Sequence, residues 1–255
     1  MIVASRLLAA IFILGALTAC SEDHGPVEVQ ARKLGAFNAV DVEGAASLQI
    51  AIGSPASVEL EGGANVLDRI DTEVRDETLY IRTRVRDWFV REGQPRTTVR
   101  ITLPRLNSLR LGGGYEASLV GFAGGESHVK VEGAVKIKAS GHLDQLTLHL
   151  AGASTANLSE LTAANARVSV DGVGRVVVHA TETLDATMNG MGAIHYIGNP
   201  REVRTRMNGL GTIGRQDSEQ GEPESESKPE LDPEKLQPEY DEAAQWKKGG
   251  VTEVI

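Results

Sequence analysis

The phrase "MNGMGAI" at 188–194 returns nineteen residues later as "MNGLGTI" at 207–213. A chain that repeats itself at a fixed short interval builds one structural unit several times and stacks the copies. The glycines act as a ruler: Gly113, Gly133, Gly152, Gly172, Gly190 and Gly209 follow one another at 18 to 20 residues. An earlier pair, Gly44 and Gly62, has the same spacing.

Within each unit apolar residues alternate with polar ones. Val129, Val131, Val135, Ile137 and Ala139 share one parity with Gly133, while Lys130, Glu132, Lys136 and Lys138 take the other. The same holds for Val168, Val170, Gly172, Gly174, Val176 and Val178, and again from Leu184 through Gly190 and Gly192 to Tyr196. A period of two means strand, with one face in and one face out. The expected fold is all-β: a right-handed parallel β-solenoid with about 18–20 residues per repeat. Gly44, Gly113, Gly133, Gly152, Gly172, Gly174, Gly190, Gly192, Gly209 and Gly211 are its bend glycines. The expected reason is that an inward side chain at the bend would strike the neighbouring wall.

A recurrent Gly-x-Gly also invites a dinucleotide-binding reading. That fingerprint needs one Gly-rich turn between a strand and a helix. Here the phrase recurs and another alternating strand follows it each time.

Between Ser57 and Leu111 the rhythm loosens. "TLYIRTR" and "TTVRITLP" read as strands and "NVLDRI" as a helical turn, with longer loops over the first coils. Trp88 and Phe89 fall in such a loop, folded back on the core. After Gly214 the pattern stops. Residues 217–255 carry twelve Asp/Glu and four Lys, rich in Glu and Pro and poor in aliphatics, and are expected to be a disordered acidic tail. The formal charge of −9 therefore sits almost wholly in the tail, and the body is close to neutral. With no basic stripe or aromatic platform, nucleic acid is not an expected partner.

At the other end, Arg6 precedes an apolar run from Leu7 to Leu17, the length of a secretory signal core and too short for a bilayer span. It closes on Leu17-Thr18-Ala19-Cys20, which resembles the bacterial lipobox, whose cysteine becomes the lipid-bearing first residue. Cys20 is the chain's one cysteine. The organisation expected is a lipoprotein signal peptide at 1–19, a polar tether at 20–33, a solenoid domain at 34–216 and the tail at 217–255. Cys20 would hold the protein to the membrane through its lipid. Ser21, where sorting rules read Asp as a retention signal, points to the outer membrane of the cell envelope.

Several phrases taken together resemble a known family. "FNAVDVEGAASLQIAIG", "NVLDRIDTEVRDETLYI", "VRITLPRLNSLRLGGG" and "GMGAIHYIGNP" occur in the order found in the bacterial head GIN domain, the family of putative auto-transporter adhesins. The resemblance runs from Leu34 to Arg215, most clearly in Gly190-x-Gly192-x-Ile194-x-Tyr196-x-Gly198-x-Pro200. It implies a right-handed β-solenoid on secreted or lipid-anchored envelope proteins, and it carries over no catalytic residue.

Chemistry is sparse. The histidines His24, His128, His142, His149, His179 and His195 take different offsets from the bend glycines, so no metal site or cofactor is expected. No Gly-x-Ser-x-Gly elbow is present. The residue before the bend runs Glu43, Glu132, Asp171, Asn189, Asn208, an outward polar ladder in which Asn189 and Asn208 could share stacked amide hydrogen bonds. The functional expectation is a non-enzymatic envelope lipoprotein that displays its surface to an unknown protein or polysaccharide ligand. One alternative is a periplasmic scaffold or regulatory lipoprotein acting through the tail. The other is a carbohydrate-active enzyme on a solenoid, for which Asp171 would be the first residue to change. Open ends of such a stack also favour self-association.

Overall fold

A computed structural model describes residues 26–83 and 97–216. The expected signal peptide, Cys20, His24, Trp88, Phe89 and the acidic tail lie outside the described residues. What is described is all-β apart from one helical turn: β1 (Val27–Arg32), β2 (Ala39–Ile52), β3 (Ser57–Gly63), α1 (Ala64–Leu67), β4 (Ile70–Arg75), β5 (Thr78–Thr83), β6 (Thr98–Leu103), β7 (Ser108–Ala123), β8 (Glu126–Ile197), β9 (Glu202–Met207) and β10 (Leu210–Arg215). They form one ten-stranded sheet of mixed orientation, with the path β1-β3-β6-β2-β7-β8-β10 and open ends.

The alternation read from the sequence sets the core. Straight, a strand of 72 residues would run to about 240 Å, yet β8 folds back on itself, and its glycines 133, 152, 172 and 190 come to lie one upon the next. Its inward positions Val131, Leu150, Val170 and Met188 are at most 1% exposed. β2, β7 and β8 pair in parallel with the bend glycines in register: Gly44 opposite Gly113, and Gly113 opposite Gly133. β9 and β10 continue the parallel pairing on β8, with Leu184 opposite Val203 and Ile194 opposite Ile213.

Two expectations are corrected. The sheet is not parallel throughout, because β1–β3, β3–β6 and β4–β5 pair antiparallel. Asp76 and Glu77, with φ of 48° and 56°, close the β4–β5 hairpin in the primed turn geometry that suits strand twist. Gly62 lies opposite Glu28 in the β1–β3 pair. Finally, the polar tether stops short of residue 33, since Val27–Arg32 is strand β1.

From Gly133 to Gly211 the wall that a side chain at the bend would strike is the backbone of the neighbouring layer. A Cβ on Gly192 would sit 1.8 Å from the carbonyl oxygen of Gly174, and one on Gly211 would sit 1.9 Å from that of Gly192. With φ of 142° at Gly192, both the torsion and the close approach demand glycine.

Candidate functional site

Where the strands turn the corner, each glycine fixes its neighbours in space. The residue before it points outward on one side, and the residues after it line the other. Columns of like residues therefore run along the corner, one residue per layer.

The column before the glycines is polar, though broken. Glu132 lies opposite Gly112, and Ala151 holds the same position before Gly152. So Glu132 is not joined to Asp171. It is held within its own neighbourhood by Lys130 Nζ and Arg110 Nη2, both at 2.8 Å. The hydrogen bond from Lys130, then that from Arg110, holds its carboxyl below the usual carboxylate range. Glu43 belongs to a separate group near the N-terminal end, where Arg82 bridges it at 3.3 Å and Asp41 at 3.0 Å and lies over the Tyr80 ring.

The lower part of the column is continuous. Asn208 Nδ2 donates to Asn189 Oδ1 at 2.9 Å, and Asn189 Nδ2 donates to Asp171 Oδ1 at 2.6 Å. The other oxygen of Asp171, Oδ2, lies 3.4 Å from His149 Nδ1 and accepts from Ser169 Oγ at 3.4 Å. Asp171 thus gathers both groups to itself, and no hydrogen bond joins Ser169 to His149. The set lacks the hydroxyl-to-base contact that activates a nucleophile. Among the described residues, no three His, Cys, Asp or Glu side chains come close enough together to hold a metal ion.

The column after the glycines went unread in the sequence. It runs Ala134, Ala153, Val173, Met191, Leu210, growing from a methyl to an isobutyl group along the stack. The last three are 52%, 51% and 72% exposed. Two residues further on come Lys136, Thr155 and Arg175, and between the two columns lies an open trough of about 770 Å³. Lys136 leans toward Glu116 at 3.6 Å. Among the described residues no carboxylate pairs with Arg175. Adding one to each glycine number would have exposed this column.

The corner thus presents a hydrogen-bonding rail beside an apolar strip, with the Arg175 guanidinium next to them. Such a surface can hold an extended partner by many small contacts. Among the described residues no helix is long and apolar enough to cross a membrane.

Comparison with known proteins gives the chain a family and a fold. The family model described as putative auto-transporter adhesin, head GIN domain, matches residues 36–200. No curated protein matches the chain. Among solved structures, a putative adhesin from Bacteroides fragilis NCTC 9343 is 21% identical, with a TM-score of 0.57 over 75% of this chain and 97% of that one. A putative adhesin from Parabacteroides distasonis ATCC 8503 is 19% identical, with a TM-score of 0.50 over 75% of this chain and 98% of the other. At these identities the likeness is one of fold.

Proposed function

This chain belongs to the head GIN domain family of putative auto-transporter adhesins, and from that premise we propose that it is a non-enzymatic adhesion module of the cell envelope. In this reading Cys20 carries the lipid that anchors it, in the outer membrane, and residues 34–216 form a right-handed β-solenoid, parallel from β7 to β10, whose corner is the adhesive surface. The ligand is a protein or polysaccharide segment long enough to run along several layers.

One observation carries the reading: the parallel register sets Asp171, Asn189 and Asn208 in one hydrogen-bonded column beside the exposed column of Val173, Met191 and Leu210. Repetition of weak contacts at strand spacing is how a flat surface gains affinity without a deep pocket. The polar rail would orient the partner while the apolar strip excludes water.

The test is adhesion by cells carrying the full chain, compared with the variant Val173→Lys/Met191→Lys. Both residues are half exposed, so the fold should survive, as circular dichroism would verify. Adhesion falling at least tenfold with the fold intact supports the corner as the adhesive surface. Unchanged adhesion removes the corner from consideration. Metabolic labelling with a fatty-acid analogue, lost in Cys20→Ser, tests the anchor separately.

A further inference from the structure

The two ends of the stack are finished differently. At the N-terminal end β1 pairs, among the described residues, only with β3, and Glu28, Gln30 and Arg32 lie opposite Gly62, Leu60 and Val58. Directly paired residues share a side of the sheet, and Leu60 and Val58 are buried. The edge strand therefore turns charged and amide groups to its core side, a device that discourages another sheet from joining there.

At the C-terminal end the device is missing. On β9 the core-side residues are Val203, Thr205 and Met207, opposite Leu184, Ala186 and Met188. The inner three are at most 1% exposed, whereas Val203 and Met207 are 40% and 37% exposed. These are core residues without a cover, on a strand whose outer backbone edge is unpaired among the described residues. Leu210, at 72%, adjoins them.

We propose that this end is covered by the same end of a second copy, related by a two-fold axis, with β9 pairing antiparallel to β9 of the partner. The sequence of β9 is self-complementary in that arrangement. With Arg204 on the axis, each Glu202 faces Arg206 of the other copy, and Val203 faces Thr205. Each Arg204 is already ion-paired with Glu202 of its own strand, which offsets the repulsion between the two axial arginines. Head-to-tail stacking fits less well, since it would press Glu28 and Gln30 of one copy against the bare Val203 and Met207 of the next. A two-fold contact closes on itself, so the product is a dimer rather than a filament. Separately from any ligand at the corner, such a contact would double the number of corners offered to it.

The test uses the full chain in cells, with Arg204→Cys placing a thiol on the axis and the wild type, which has Cys20 alone, as background. Oxidation should give a disulfide-linked dimer and nothing longer, with no such dimer from Ala31→Cys at the opposite end. Adding Glu202→Arg should abolish the dimer, and adding Glu202→Arg/Arg206→Glu should restore it. The variant ending at Gln216 should dimerise as the full chain does. Three results would each overturn the proposal: no dimer above background, a dimer indifferent to the charge swap, or a dimer seen only once residues 217–255 are removed. Adhesion lost through Val173→Lys/Met191→Lys with the dimer intact would leave the two proposals independent.

Discussion

Gly192 lies so close to Gly174 that a Cβ on the first would stand 1.8 Å from the carbonyl oxygen of the second. That contact is backbone against side chain along the stacking direction, where neither partner can step aside without breaking the parallel ladder. Replacing Gly192 by Ala adds the clash to a φ of 142° that L-residues avoid. The expected cost is about 3–5 kcal/mol, read as a lower midpoint in urea unfolding. Gly35, with no heavy atom within 4 Å of its would-be Cβ, is the control. Ala there should change stability by less than about 1 kcal/mol. Equal effects at the two positions would refute the close-approach explanation.

Asn189 is the middle member of its column, donating to Asp171 and accepting from Asn208. Asn189→Ala removes both hydrogen bonds, while Asn208→Ala removes one. All three are solvent-accessible, so the costs are modest: about 1 kcal/mol or somewhat more for Asn189 and about half that for Asn208. A double-mutant cycle between them should give a coupling near the smaller value. Strict additivity would mean that the amides do not interact in solution.

The rhythm of the chain made most of this legible. Alternation and the glycine interval identify the stacked strands, because a residue's side of the sheet follows from its parity and its layer from its count. Legibility failed where contacts depend on register rather than period. The polar ladder read as continuous from Glu132 to Asn208, yet Ala151, the residue before Gly152, interrupts it with a methyl where a polar group would need to be. The antiparallel pairs β1–β3 and β4–β5 were missed for a related reason: alternation announces a strand but carries no direction. The apolar column from Ala134 to Leu210 was in the sequence throughout, one step beyond each ruler mark.

Glu132 gives a pH-dependent signature. Lys130 and Arg110 hold its folded pKa below the ordinary value of 4.5. A carboxyl depressed on folding contributes stability that is complete above its unfolded pKa and is lost as the pH falls through the folded one. Thermal unfolding of the wild type and Glu132→Gln should therefore differ most near neutrality. The two curves should converge only once the pH has fallen through that lowered folded value. A difference that grows on acidification would contradict the assigned sign.

Tyr115 should behave in the opposite sense. Only 5% of it is exposed. Burial first, and the nearby charge of Glu43 second, push its phenol above the usual range. An acid whose pKa rises on folding stabilises the native state below its unfolded pKa, and that contribution is lost as the pH climbs through the folded value. Of the chain's four tyrosines, Tyr115 should resist ionisation until the protein unfolds. In a spectrophotometric titration its signal should appear together with the loss of β-sheet circular dichroism. Early ionisation of all four with the sheet intact would mean that the phenol is not buried.

Leu184 and Val203 occupy the same column in adjacent layers, one buried at 1% and the other 40% exposed. Truncating Leu184 to Ala opens a cavity in packed surroundings and should cost about 2–5 kcal/mol. Truncating Val203 leaves no cavity in a monomer, so it should cost less than about 1 kcal/mol in dilute solution. The comparison becomes more informative with concentration. Burial of the stack's end against a second copy removes Val203 from water, and binding of any partner to the native state adds stability that grows with its concentration. The effect of Val203→Ala on the unfolding midpoint should then rise as the protein is concentrated, while that of Leu184→Ala stays constant. A Val203 effect that does not change with concentration would show the end of the stack to be exposed in the native protein, and would count against the two-fold contact as well.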